Sequence, residues 1–190
     1  ERRLARICEH DFSIYEHVDL MDCRLEAVFD FLQNDRLLDL IEPIVGPEIL
    51  CSPIQHSRAK LPEDLKQRFP AGTAEEHERW SRHVAENVAP WHQDAGVMMP
   101  EAEGSDILTC WLPLGDATAE MGCMEVIPGV VESGYLRHQK EGGTTIVAEV
   151  MPEKAPMIMD CRKGDIVIMS RFTPHRSRPN ASQLCRWPMD

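Results

Sequence analysis

The chain has no C-x-x-C pair, no run of 18 apolar residues, no excess of basic residues and no H-E-x-x-H motif. Each absence removes a class of protein. Its seven cysteines (8, 23, 51, 110, 123, 161 and 185) are scattered and odd in number, which argues against a zinc ribbon or a disulfide-stapled secreted fold. Free thiols in a reducing cytoplasm fit them better. Without a long apolar run, no membrane-spanning helix is expected, and no signal peptide is visible. A formal net charge of −12 argues against nucleic acid or an anionic membrane surface as a partner, since either calls for a basic patch. No internal repeat or low-complexity segment stands out. The chain opens at Glu1 and stops at RWPMD, so we read it as a fragment truncated at both ends. Oligomeric state leaves no signature.

What is present fits one globular domain: 190 residues, 43% of them apolar, are enough for a sizeable core. Residues 1–48 read as a helical shoulder. Leu25, Val28, Phe29 and Leu32 recur at helical spacing, and Leu37, Leu38, Leu40, Ile41 and Ile44 form a second group. Asn34-Asp35 is the expected cap between the two helices, with Pro43 and Gly46-Pro47 as the stop. The apolar stripe is expected to pack as core. From residue 49 the character changes. EILCSPIQHSRAKLP reads as a short strand, and residues 62–90 as a polar helical insertion or lid. After these come DILTCWLPL, GCMEVIPG, TTIVAEV, APMIMDC, GDIVIMS and QLCRWPM. Short apolar strands punctuated by Gly, Pro and Asp predict a mainly β core, a sandwich or barrel.

Within this frame WHQDAG, residues 91–96, carries His92-x-Asp94. On a strand, positions i and i+2 face one side, so an imidazole and a carboxylate converge while Gln93 faces away. With 8 His and 13 Asp in the chain, about one chance H-x-D is expected for every two such proteins, so a third ligand must be found. GDIVIMSRFTPHRS offers His175 just past a core strand. Two His and one carboxylate leave one face of a metal open, an arrangement that suits non-haem Fe(II). Arg186, eleven residues on, lies inside an apolar strand. Burying its charge unpaired is costly, and a carboxylate held by both arms of the guanidinium relieves that cost. Gln55, Arg58 and Lys60 are candidate substrate or co-substrate contacts.

The pieces WHQD, LTCWLPLGDATAEMGCMEVIPG, GDIVIMSRFTPHRSRPNAS and CRW together resemble the phytanoyl-CoA dioxygenase family of Fe(II)- and 2-oxoglutarate-dependent oxygenases, over roughly residues 49–190. The resemblance implies a double-stranded β-helix, or jelly roll. It implies His92, Asp94 and His175 as iron ligands, Arg186 as the clamp on the distal carboxylate of 2-oxoglutarate, Ser177 as a second contact to that carboxylate, and Trp111 as a wall of the co-substrate pocket. The implied reaction uses O2, releases succinate and CO2, and hydroxylates a C–H bond of a small organic substrate. Halogenating relatives lack the carboxylate that Asp94 supplies, so its presence favours hydroxylation. Three departures stand out. Arg186-Trp187-Pro188 replaces the frequent R-x-S, PGVV at 128–131 replaces P-G-S-H, and the chain stops four residues after Arg186. The basic residues Arg171, Arg176 and Arg178 are a candidate rim for an anionic substrate. A zinc hydrolase built on the same triad, or a binding module with a vestigial site, remain open alternatives. The hydrolase leaves Arg186 without a role.

Overall fold

The computed structural model describes residues 2–16, 25–67, 72–86, 88–102, 104–140 and 144–190. Its helices lie in the first half: α1 (Arg2–His10), α2 (Ser13–Glu16), α3 (Glu26–Leu32), α4 (Asp35–Val45) and α5 (Ala74–Glu86). Its strands follow: β1 (Leu108–Pro113), β2 (Met124–Val126), β3 (His138–Gln139), β4 (Thr145–Ile146), β5 (Met157–Met159), β6 (Val167–Ser170), β7 (His175–Ser177) and β8 (Pro188–Met189). All the strand pairings among the described residues are antiparallel.

One sheet has the order β6-β1-β8. Residues 56–60 extend it, because His56 and Asp190 exchange backbone bonds, as do Lys60 and Arg186. The expected strand at 49–62 is therefore present only as isolated bridges. Pro53 and Pro62 at its ends cannot donate ladder bonds. The second sheet has the order β5-β2-β7, and His92 bridges to His175 at its edge. A buried cluster joins Trp111, Val167 and Met169 of the first sheet to Met124 and Val126 of the second, so the two sheets face one another across it.

A second core lies outside the first sheet. Leu4, Ala5, Cys8, Phe12 and Tyr15 of the N-terminal helices pack with Trp80 of α5 against Ala59, Leu61 and Cys185. The Tyr15 hydroxyl donates to the Ala59 carbonyl at 2.9 Å. Strand alternation then sets the other face. Ala59, Leu61 and Cys185 point to the helices, so Lys60 and Arg186 point between the sheets. Trp187 joins the helical side, with its indole N–H on the Ser57 hydroxyl at 2.8 Å. The middle residue of Arg186-Trp187-Pro188 is thus an anchor for the helical layer, and the departure from R-x-S is at Pro188, on β8.

The α3–α4 pair differs from expectation. Asn34 caps α4 as expected, its side chain accepting from the Arg36 amide at 3.1 Å. Pro43, however, sits inside the last turn, and Gly46, at φ 89°, ends the helix. The apolar stripe is not core: Leu25, Phe29, Leu40 and Ile44 are exposed, and Leu37 is the buried residue of α4. Together with residues 47–55 these helices line an open apolar groove of about 870 Å³.

Candidate metal and anion site

His92, Asp94 and His175 converge between the sheets. Asp94 opens a 3-10 turn (Asp94–Gly96) and does not continue a strand from His92. The pairing of His92 with His175 and the turn bring the three together. Their ligand atoms all lie within 4.8 Å of one another. Asp94 Oδ1 is 3.6 Å from His175 Nε2 and 4.0 Å from His92 Nε2, too far for hydrogen bonds and close enough for one cation to touch all three.

The surrounding bonds assign the free lone pairs. His92 Nδ1 meets the Pro90 carbonyl at 2.8 Å, and His175 Nδ1 meets the Thr173 carbonyl at 2.9 Å. A carbonyl only accepts, so each Nδ1 carries the proton and each Nε2 lone pair faces Asp94. Backbone carbonyls fix the tautomer of metal-binding imidazoles in this way. Thr109 on β1 donates to Asp94 Oδ2 at 2.5 Å, which leaves Oδ1 for a metal. Burial, and then the neighbouring His175, hold His92 below the usual histidine range, which keeps it neutral as a ligand must be.

Ser177 follows His175 by two residues on β7, and Trp111 follows Thr109 by two on β1, so strand alternation places a pocket of buried basic groups beside the triad. Lys60 is 2% exposed and Arg186 is 5% exposed. Lys60 Nζ donates to the Ser177 hydroxyl at 2.7 Å, and the Ala89 amide donates to the same oxygen at 2.8 Å. Arg186 stacks on the Trp111 ring at 5.3 Å, yet its Nε and Nη1 are buried with no hydrogen-bond partner among the described residues. Burial, and then Arg186 itself, pull Lys60 down to about 6. Burial pulls Arg186 to about 10, so the guanidinium keeps its charge at neutral pH. A buried guanidinium whose Nε and Nη1 have no partner among the described residues, with the basic Lys60 nitrogen beside it, suits an anion.

The residues fit the metal and the anion together. Two neutral imidazoles and one carboxylate, open on one face, suit a non-haem ferrous ion, and the anion pocket shares the same inter-sheet space.

A family model described as phytanoyl-CoA dioxygenase matches residues 24–186. The chain belongs to the phytanoyl-CoA dioxygenase family. A curated relative, the phytanoyl-CoA dioxygenase domain-containing protein 1 homolog of Dictyostelium discoideum, is 28% identical over 85 residues, covering 40% of this chain and 30% of that protein. Solved structures share the fold. A non-heme monooxygenase, ThoJ in its apo form, superposes with a TM-score of 0.60 at 20% identity, over 83% of this chain and 51% of its own. EvdO2 from Micromonospora carbonacea var. aurantiaca, complexed with 2-oxoglutarate, superposes at 0.57 and 20% identity, over 86% and 61%. AviO1 from Streptomyces viridochromogenes Tue57 superposes at 0.53 and 24% identity, over 84% and 57%. The chain thus spans about a third of the curated relative and half to three-fifths of these structures.

Of the residues singled out in the sequence, the structure brings seven together: the triad, Arg186, Ser177, Trp111 and Lys60. Arg58 shares the Lys60 side of its segment but is exposed. Gln55 has the opposite parity. Its side chain donates to the Ser52 carbonyl at 2.5 Å, and it lines the α3–α4 groove. The basic rim does not form. Arg176 and Arg178 alternate with His175 and Ser177, face outward, and both pair with buried Glu125. Burial opposes ionisation of Glu125, but those two guanidiniums hold its carboxyl below the usual range. Arg171 donates to the Ala102 carbonyl at 3.2 Å and stacks on Phe172.

Sequence reasoning missed Thr109 and Asn180. Asn180 is buried and donates to the carbonyls of Lys60 and Leu184 at 3.0 and 2.7 Å, tying the two cation-bearing segments together. A polar Asn between Pro179 and Ala181, inside a stretch already matched to the family, was the available signal.

Proposed function

We propose that the chain is the site-bearing part of an Fe(II)- and 2-oxoglutarate-dependent dioxygenase, a single domain with a double-stranded β-helix core, that hydroxylates a C–H bond of a small organic molecule. The observation that carries this reading is the pair of unpartnered, buried N–H groups on Arg186 beside Lys60 and next to the triad. A metal site alone accounts for His92, Asp94 and His175 but leaves the buried Arg186 guanidinium, with its unpartnered N–H groups, and the adjacent Lys60 unexplained. A dicarboxylate spanning both sites accounts for all five.

His92 Nε2, Asp94 Oδ1 and His175 Nε2 would hold the iron. Arg186 and Lys60 would bind the distal carboxylate, with the Ser177 hydroxyl as a further donor. When bound, iron and 2-oxoglutarate supply O2 activation coupled to oxidative decarboxylation, which yields succinate and CO2. The chain's own residues ligate, orient and exclude water. The Trp111 ring lies under the guanidinium, 5.3 Å from its central carbon, and would help to place it. Thr109 keeps one Asp94 oxygen engaged so that the other faces the metal. Retention of the Asp94 carboxylate favours hydroxylation over halogenation.

The test is succinate formation from 2-oxoglutarate with Fe(II) and O2 across a panel of small-molecule substrates, comparing the wild type with His175→Ala. Turnover that depends on His175 is expected. Its absence across the panel, or equal turnover in the variant, would sink the oxygenase reading. A zinc hydrolase on the same triad gains nothing here, because it leaves the Lys60–Arg186 pocket without a ligand.

A further inference from the structure

WHQDAG supplies two of the three proposed ligands from one short turn, so whatever fixes that turn fixes the spacing of the metal site. Four contacts do so. The backbone of His92 pairs with that of His175, and the Ala95 amide donates to the Arg171 carbonyl at 3.0 Å. The Gln93 side chain is fully buried and bridges two loops. It donates to the carbonyls of Gly134 and Phe172 at 2.9 and 2.8 Å, and accepts from the Leu136 amide at 2.8 Å. The fourth contact is a side chain on the peptide between the two ligands: the Gln93 amide donates to His138 Nε2 at 3.0 Å. His138 lies forty-four residues beyond Asp94, on β3, and no role in the site has yet been given to it.

Gly96 crowds the same Nε2 end of the ring. A Cβ built on Gly96 would lie 2.7, 2.7 and 2.9 Å from His138 Cδ2, Nε2 and Cε1, closer than real Cβ contacts come. Gly96 is therefore bare because the imidazole occupies that space. Tyr135 also packs on the ring, with centroids 5.2 Å apart. Accepting from the Gln93 amide requires a neutral imidazole with its proton on Nδ1, and burial holds His138 below the usual histidine range against a pull from the Leu136 backbone.

We propose that His138 is a positioning residue for the metal site, which fixes the His92–Asp94 turn by accepting the Gln93 amide while its ring fills the space left by Gly96. This rests on the function proposed above. His138 touches no reacting atom and acts through the spacing of the two ligands. Partners one step out from metal ligands typically change metal affinity by about 10- to 100-fold when removed.

The experiment is Co(II) titration of the metal-free protein, followed by the visible absorption of bound Co(II), with unfolding temperature recorded for each variant. His138→Ala is expected to weaken Co(II) binding at least tenfold and to alter the absorption of what binds. His138→Gln, which places an acceptor where Nε2 was, should recover affinity to within about threefold. Gly96→Ala should weaken binding in the wild-type background and add little in the His138→Ala background, a non-additive pair. Wild-type affinity and spectrum in His138→Ala would overturn the proposal, as would equal behaviour of the Ala and Gln variants. If His138→Ala does not fold, the Gln variant and Gly96→Ala decide: wild-type binding in Gly96→Ala overturns the proposal. Equal Co(II) binding by the wild type and His175→Ala would overturn the metal site itself, and the role of His138 with it.

Discussion

Two regions of the molecule reverse the ordinary placement of side chains. On α3 and α4, Leu25 and Phe29 are 61% and 65% exposed. Between the sheets, Lys60 and Arg186 are almost fully buried. Scattered apolar residues on a surface cost little, because much of any folded surface is apolar. A buried guanidinium costs a great deal unless something compensates, and beside it Lys60 is held largely neutral at pH 7. The second reversal therefore carries information about function, and the first carries much less. A buried charge implies a ligand by its cost, whereas an exposed leucine implies none by itself.

The largest effect that sharpens this contrast is at Arg186. Arg186→Met is expected to weaken 2-oxoglutarate binding by at least a hundredfold, the scale of removing one partner of a buried charge pair. The metal-free protein should unfold at the same or a higher temperature, because an apolar chain replaces a buried charge with unsatisfied donors. Calorimetric titration and thermal unfolding measure the two halves. A large loss of stability with unchanged affinity would make Arg186 structural.

Next comes Lys60. Its folded value of about 6 lies below the unfolded lysine value of about 10.4. Its stability contribution is therefore fully present above that unfolded value. It is lost as pH falls from there to about 6, and is constant below. A bound carboxylate favours the charged form and raises the folded value again. Binding of 2-oxoglutarate near pH 7.5 should thus take up a proton, and affinity should rise as pH falls toward 6. Titration in buffers of different ionisation enthalpy detects that proton, and Lys60→Met should abolish its uptake and weaken binding by roughly tenfold. Binding independent of pH from 6 to 8 would contradict the role.

The smallest effects lie on the helical pair. Leu37→Ala should cost about 2–3 kcal/mol, as a buried leucine does, whereas Phe29→Ser should stay within about 0.5 kcal/mol. Denaturant unfolding compares them. A Phe29 cost equal to that of Leu37 would mean that the α3 face is covered in solution.

The same contrast explains how much could be read from the sequence. The clustering of His92, Asp94 and His175 was legible because H-x-D is local and His175 follows a recognisable strand. Arg186 was legible because a charge stood in an apolar run. The α3–α4 stripe misled, since periodicity says that a helix has an apolar face and not what covers it. Arg176 and Arg178 were taken with their neighbours as one basic rim, yet strand alternation turns them away from His175 and Ser177 onto Glu125. Gln55 and Lys60 seemed to share a face, but they are five residues apart, and strand alternation puts an odd separation on opposite faces. Long-range partners such as Thr109 for Asp94 and Asn180 for Lys60 depend on which strands become neighbours. No window of sequence contains that.

The most direct test of the central claim, a metal triad and a cation pair sharing one dicarboxylate, is an oxygen-free titration of 2-oxoglutarate into the Fe(II)-loaded protein. It is followed by the visible absorption that develops when the keto acid chelates iron. We expect saturable development of that band in the wild type, none in His175→Ala, and at least a hundredfold more 2-oxoglutarate needed in Arg186→Met. A band that forms with the same affinity in Arg186→Met, or no band in the wild type at saturating iron, would contradict the account.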